Sequence, residues 1–344
     1  MEHYAGLDVS LELTSVCIVD TQGGMVCEAK VASEPEALIQ FLLEQELEFG
    51  RVGLEAGPLS QWLHTGLIAA GFDTVLLETR HVKAALSAMT VKTDRRDARG
   101  IAQLLRLGWY RPVHAKSINA QEVRALLTAR KLIQAKLLDV ESGMRGVLRG
   151  FGLKVGAISR GRFETRIREL VEGNATLETV IGSMLAARAS LACEFKRLHR
   201  ELLALVRADP VCRQLMSVPG VGAIVAITFK SGVDDPTRFR RSRDVGSHFG
   251  LTPRKYQSGE LDVTGSITKV GDRMVRTALF EAASVMLTRT VRFSPLKSWA
   301  MAVARRRGTK KAKVALARKL GVILHRMWVD GTTFRWSNEE TAIA

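Results

Sequence analysis

The chain has 344 residues, 46% hydrophobic and 25% charged, a balance that suits a globular protein with about two or three domains, each with its own core. Its 51 Lys+Arg against 35 Asp+Glu leave a net charge of +16, which favours a polyanionic partner. No apolar run reaches the roughly 18 residues of a membrane span, and no signal-peptide pattern opens the chain. The four cysteines (Cys17, Cys27, Cys193, Cys212) contain no C-x-x-C pair that would point to zinc, so the expectation is a nucleic-acid-binding protein of a reducing cytoplasm, with no membrane partner.

In chain order, residues 4–9, 14–19 and 25–31 read as strands, the last two separated by the turn signal Gln22-Gly23-Gly24. Residues 35–47 read as a helix with Leu38, Phe41, Leu42 and Leu47 on its apolar side. A strand over 51–55, a helix over 59–70 and a strand over 72–77 follow, and then a helix that starts with acids. Three strands followed by alternating strands and helices predict a mixed sheet flanked by helices.

Four acids fall at telling places in this order. Asp8 and Glu55 end predicted strands, a usual position for polar site residues in α/β sheets. An acid there is costly to bury unless it is paired or binds a metal. Asp94 and Asp97 stand three residues apart, ahead of the apolar pattern Ala98, Ile101, Ala102, Leu104 and Leu105. Read as a helix start, that spacing puts both carboxylates on one face. Lys92, Arg95, Arg96 and Arg99 surround them. Clustered acids in a basic frame suit a divalent metal working on a polyanion, the acids holding the ion and the cations the phosphates. A capped helix whose acids favour its dipole would explain Asp94 and Asp97 alone. It does not explain four acids from two strands and one helix.

Residues 117–206 read as long amphipathic helices. Val123, Leu126, Arg130, Ile133, Leu137, Val140, Met144 and Val147 form one heptad seam. Leu177, Ile181, Met184, Arg188, Leu191, Phe195, Leu198, Leu202 and Leu205 form another. Each is interrupted by one arginine, and a helical hairpin or an intersubunit coiled coil accounts for them equally. Ser217-Val-Pro-Gly-Val-Gly222 resembles the hairpin of helix-hairpin-helix modules, in which glycines such as Gly220 and Gly222 let backbone N–H groups approach a DNA phosphate. A tight turn into a buried helix explains the same residues. Farther on, Ser258 precedes Gly259 in what reads as a loop, with Arg254 and Lys255 close enough in sequence to hold a phosphate. Between Glu281 and Asp330 there are 12 Lys or Arg and no acid, densest at Arg305, Arg306, Arg307, Lys310, Lys311 and Lys313. Without phosphates these cations would repel one another, so the run reads as a nucleic-acid surface.

The set Asp8, Glu55, Asp94 and Asp97 resembles the D-E-D-D quartet of RuvC-like nucleases with the ribonuclease H fold. Three runs resemble one transposase family more closely: Gly6-Leu7-Asp8-Val9-Ser10, Leu54-Glu55-Ala56-Gly57 and Lys92-Thr93-Asp94-Arg95-Arg96-Asp97-Ala98. So does Phe249-Gly-Leu-Thr-Pro-Arg-Lys-Tyr-Gln-Ser258-Gly-Glu260, followed by Gly265, Lys269, Gly271 and Arg276. That family is the bridge-RNA-guided insertion-sequence transposases, which join a D-E-D-D domain to a second domain bearing a serine.

The resemblance implies a RuvC-like domain over 1–113, a helical or coiled-coil linker over 114–209, a mostly α-helical transposase domain over 210–335 and a polar tail over 336–344. It implies Mg²⁺ (or Mn²⁺) held by Asp8, Glu55, Asp94 and Asp97, and a nucleophile at Ser258 that forms a DNA–phosphoserine link. Donor and target DNA would be paired by a noncoding bridge RNA, with Arg95, Arg96, Arg99, Gly220, Gly222, Arg254, Lys255, Lys269 and the Arg305–Lys313 cations on nucleic acid. A homo-oligomer, dimer or tetramer, with composite active sites is the expected assembly, acting on the bacterial nucleoid. Two rivals fit parts of the sequence: a metal-only structure-specific nuclease in which Ser258 is incidental, and a non-catalytic architectural nucleic-acid-binding protein.

Overall fold

Three strands open the chain, β1 (His3–Val9), β2 (Leu13–Val19) and β3 (Met25–Ala32). β2 is buried along nearly its whole length, while β3 alternates exposed and half-buried residues, as an inner and an edge strand do. The three pair as an antiparallel meander. The chain then runs through α1 (Pro35–Glu44) into β4 (Phe49–Glu55), parallel to β1, and through α2 (Ser60–Ala69) into β5 (Thr74–Leu77), parallel to β4. After α3 (Thr79–Leu86) and α4 (Asp94–Arg106), a two-residue β6 (Pro112–Val113) closes the edge antiparallel to β5, giving the order β3-β2-β1-β4-β5-β6. An antiparallel meander continued by parallel strands is the ribonuclease-H-like topology, so the mixed sheet expected from the element order is present. The sequence reading passed over α3 and β6. The computed structural model describes residues 1–87 and 93–336; Val91 and Lys92 of the acidic run, and all but the first residue of the polar tail, lie outside the described residues.

Two helical layers cover this sheet. On one face Ala5, Leu7, Val52 and Leu54 pack against Leu38 and Leu42 of α1 and Leu63 and Leu67 of α2. On the other lies α4, with Ala98 and Ala102 against Cys17 and Val19 and with Ile101, Leu104 and Leu105 against Leu77. Glycine makes the second contact possible. A Cβ on Gly6 would lie 2.2 Å from the Ala98 carbonyl oxygen and 2.4 Å from the Ala102 nitrogen, and one on Gly53 would lie 2.7 Å from a Leu105 methyl. The backbone of α4 therefore seats directly on β1. Gly6→Ala is expected to cost at least about 1–3 kcal/mol of unfolding free energy, because the clash is with backbone that no rotamer change relieves. A denaturant melt reads this out, and an unchanged midpoint would mean that the helix seat is not rigid.

The chain divides into two compact units, Met1–Lys116 and Ser117–Ala344. The second opens with α5 (Ile118–Gly150), whose N-cap Ser117 donates its backbone N–H and hydroxyl to Asp234 at 2.8 and 2.6 Å. α6 (Phe163–Val171) leads to α7 (Ala175–Ala208), which runs antiparallel to α5. Val123 and Leu127 meet Leu202 and Val206 at one end of this helical hairpin, and Met144 and Leu148 meet Ile181 and Leu185 at the other. The seam arginines have partners inside it. Arg130 lies 4.7 Å from the Phe195 ring centroid, and its Nε donates to His199 Nδ1 at 3.3 Å. Arg188 Nε donates to Glu141 at 2.8 Å, with its guanidinium 5.0 Å from the Phe163 ring centroid.

The remaining helices are α8 (Pro210–Leu215), α9 (Ala223–Val233), α10 (Asp244–His248), α11 (Arg273–Thr288), α12 (Pro295–Arg307) and α13 (Thr309–Asp330), with a β-hairpin, β7 (Pro253–Ser258) and β8 (Leu261–Ile267), between α10 and α11. Phe229, Phe249, Leu279, Leu316 and Leu320 are central in their core, which also takes in Val123, Leu127, Leu202 and Val206 of the long helices. This part is mostly helical, as expected. Among the described residues no helix is long and apolar enough to cross a membrane. Burial pushes the Cys17 and Cys212 thiols up to about 12, so both are neutral thiols at physiological pH.

Candidate active site

The parallel pairing of β1 and β4 sets the level of the first two acids. Leu7 pairs with Leu54, so Asp8 and Glu55, each the next residue, leave neighbouring strands side by side. Each also stands two residues after a glycine seat, Gly6 or Gly53, and so lies on the sheet face that α4 covers. Asp97, in the first turn of α4, is the third acid of the group. Asp8, Glu55 and Asp97 line one open cleft of about 400 Å³ together with Ser10, Pro58 and Ser60. All three acids are half-buried. The loop on one side is fixed by Ser60, whose Oγ accepts from the Gly57 N–H at 3.0 Å and donates to the Gly57 carbonyl at 2.8 Å.

Asp94 stands apart. It is the first residue of α4, after the N-cap Thr93, whose side chain accepts from the Arg96 N–H. Its carboxylate is exposed and lies 4.0 Å from Lys30 Nζ on β3, and it does not line the cleft. The three-residue spacing sets both acids on one helix, but only Asp97 lines the cleft, while Asp94 reaches Lys30 on the edge strand β3. Arg95, Arg96 and Arg99 are exposed on α4.

Oxygen-only donors in an open cleft are the chemistry a hard divalent cation takes. Among the described residues no three acidic, His or Cys side chains are close enough to enclose an ion. Asp8, Glu55 and Asp97 are the cleft side chains that would hold such an ion.

In the second unit, Ser258 is not in a loop. It is the last residue of β7, paired with Leu261 across a two-residue turn. Gly259 takes φ +55° there, as the first position of a type II′ turn requires. Every residue of β7 is exposed, so the Ser258 hydroxyl is accessible. Strand alternation separates the two neighbouring cations. Arg254 lies beside Gly265, with its Cβ 3.8 Å from where a Gly265 Cβ would be, and shares the Ser258 face. Lys255 points the other way and pairs with Asp262 at 3.3 Å. Arg276 turns inward to hold the carbonyls of Phe249 and Val270 at 3.0 and 2.9 Å, anchoring the foot of the hairpin. Lys269 is exposed at that foot with φ +56°.

Gly220 and Gly222 have different surroundings. Gly220 has φ +84°, and a Cβ on it would lie 2.4 Å from the Ala282 carbonyl oxygen, so it packs a turn onto α11. Gly222 is exposed at the N-cap of α9 with nothing near its Cβ position. Arg305, Arg306 and Arg307 form the exposed last turn of α12, where cations complement the helix dipole. Gly308, at φ +84°, turns the chain into α13, whose opening turns carry Lys310, Lys311 and Lys313 without any acid. Lysines at the positive end of a helix are unfavourable unless an anion is bound. Sequence reasoning missed Gly53, although the repeated Gly-Leu-acid pattern of Gly6-Leu7-Asp8 and Gly53-Leu54-Glu55 carried its signal. It also missed Lys30, for which no local signal exists.

A ribonuclease-H-like unit with acids at its strand ends is followed by a mostly helical unit, and comparison with known proteins identifies the pair as a transposase, an enzyme that cleaves and rejoins DNA. Residues 5–152 match a family described as a transposase of DEDD, IS110 type, and residues 212–297 match the Transposase IS116/IS110/IS902 family. The chain belongs to this family of insertion-sequence transposases. It is 29% identical over 343 residues to the transposase for insertion sequence element IS1111A of Coxiella burnetii, covering 96% of this chain and 90% of that one. A probable family 20 transposase of Pseudomonas aeruginosa is 28% identical, covering 96% and 98%. The transposase for insertion sequence element IS1328 of Yersinia enterocolitica is 26% identical, covering 82% and 85%. A structural comparison aligns 33% of the chain with all of T. thermophilus RuvC, solved in complex with a Holliday junction substrate, at 14% identity and a TM-score of 0.26.

Proposed function

We propose that this transposase recombines DNA through a covalent Ser258 intermediate, with Asp8, Glu55, Asp94 and Asp97 holding Mg²⁺ or Mn²⁺ at the scissile phosphate. The observation that carries the reading is the convergence of Asp8, Glu55 and Asp97 on one cleft at the end of the sheet. Bound there, the ion supplies positive charge against the charge that builds on the phosphate. The Ser258 oxygen attacks phosphorus, the bond to one deoxyribose oxygen breaks, and that oxygen leaves as a hydroxyl with the serine's proton. A freed hydroxyl of the partner strand then attacks the phosphoserine, which restores the diester and releases the serine. One phosphodiester is exchanged for another, so no external energy source is needed. Two DNAs must be cut together, which calls for at least two copies of the chain.

A noncoding bridge RNA that pairs with donor and target DNA fits a protein whose basic surfaces address backbone and shape rather than sequence. In this reading the chain works on the nucleoid in a bacterial cytoplasm. The test is to quench a reaction on a plasmid carrying the element's own ends with denaturant and isolate protein-linked DNA. Metal-dependent cleavage with no covalent species would favour the metal-only nuclease, and no cleavage at all would favour the architectural protein.

The Arg305–Lys313 surface has its own test. Replacing Arg305, Arg306 and Arg307 with alanine should flatten the log–log salt dependence of DNA binding by up to about 2–3 units, since each phosphate contact contributes roughly 0.9. An unchanged slope would mean that these arginines are only solvated.

A further inference from the structure

The hairpin that carries Ser258 has two unlike faces. Direct cross-strand partners share a face, and the register pairs Tyr256 with Val263 and Ser258 with Leu261. Strand alternation then places Arg254, Tyr256, Ser258, Leu261 and Val263 on one side. The opposite side carries Lys255, Gln257 and Asp262, tied together by the Lys255–Asp262 ion pair at 3.3 Å and the Gln257–Asp262 hydrogen bond at 3.0 Å. The polar face is therefore internally satisfied. The serine face is apolar and open: Tyr256 is 64% exposed, Leu261 62% and Val263 55%. Single exposed apolar residues are ordinary, but three around one candidate nucleophile, on a hairpin with no cover, are not. A two-stranded hairpin is marginal in water, so this face gains most when something packs on it.

We infer that Tyr256, supported by Leu261 and Val263, is a stacking platform for a DNA base next to the phosphate that Ser258 attacks, and so positions that phosphate. The inference rests on the reading of Ser258 as the nucleophile. Charge selects the occupant. Arg254 borders the apolar patch on the same face, Lys269 stands exposed at the hairpin's foot, and the chain as a whole carries +16. Three side chains offer far less than the roughly 800 Å² per partner of a stable protein interface, so this patch by itself does not make an interface with a second copy. A nucleotide satisfies both halves of the patch, its phosphate meeting the arginine and its base meeting the ring. Aromatic rings stack on unpaired bases of any sequence, which suits a strand opened for cleavage.

The test uses the full-length protein and a short single-stranded oligodeoxynucleotide of thymidine and 5-bromodeoxyuridine. Ultraviolet irradiation should attach a base to Tyr256, located by peptide fragmentation. The Ser258→Ala protein should crosslink equally well, so failure of the serine chemistry leaves this result intact. Tyr256→Ala should weaken binding of the oligonucleotide roughly 5- to 100-fold, the range of one lost base stack. Tyr256→Phe keeps the ring and should restore affinity to within about 2-fold, a recovery that stacking predicts and a role for the tyrosine hydroxyl does not. Adducts found elsewhere but never at Tyr256 would overturn the inference. So would equal binding by Tyr256→Ala, preferential crosslinking to the matching uridine RNA, or a solution dimer that Tyr256→Ala disperses.

Discussion

Ser258→Ala is expected to abolish both recombination and the covalent protein–DNA species, lowering the rate by roughly 10³-fold or more, the scale on which loss of a nucleophile acts. DNA binding should persist, because the serine is exposed next to the hairpin turn and is not among the buried core residues. That exposure separates chemistry from folding. A hydroxyl is a weak nucleophile at neutral pH and must be activated by its surroundings, so Ser258→Cys, with a softer nucleophile of similar size, should retain only slight activity. The measurement is mass spectrometry of a denaturant-quenched reaction, looking for a nucleotide on the peptide that contains position 258. Recombination at an undiminished rate in Ser258→Ala would end the serine mechanism.

Asp97→Asn should reduce cleavage by more than about 100-fold, since even groups that merely support a metal ligand are worth roughly 10–100-fold. The substitution keeps shape and removes charge, and Asp97 is only half-buried in an open cleft, so the melting midpoint should move little. Asp94→Asn is the sharper comparison. Asp94 faces Lys30 at 4.0 Å and lies outside the cleft. If all four acids serve one ion, Asp94→Asn should fail as completely as Asp97→Asn, and α4 must then present its first residue to the site when metal and DNA are bound. Wild-type cleavage by Asp94→Asn with loss in Asp97→Asn would reduce the metal set to the three acids of the cleft. Both variants are read by nicking of supercoiled DNA at several Mg²⁺ concentrations.

The sequence alone determined much of the N-terminal unit because its signals are local. Alternation and turn residues specify β1 to β3, and an acid closing an apolar strand marks Asp8 and Glu55 wherever the strand lies. Three-residue spacing ahead of an apolar period places Asp94 and Asp97 on one helix. Ser258 was legible only through its motif, because an exposed serine before a glycine has no distinguishing local pattern.

Only the tertiary structure decided what depends on which element passes over which. It separated Asp97 from Asp94, because the first turn of α4 spans two parts of the sheet, with Asp97 at the cleft beside Asp8 and Glu55 and Asp94 over Lys30 of β3. It gave Gly6 and Gly53 their purpose, since a glycine's need for space shows only when another backbone arrives. It spent Arg130 and Arg188 on Phe195, Phe163 and Glu141 inside the helical hairpin, which a heptad count cannot foresee. It also put Arg254 on the Ser258 face and Lys255 on the other. Neighbours in sequence point to opposite sides once the segment is a strand, and strand or loop was settled by pairing with β8, not by the residues of β7 themselves.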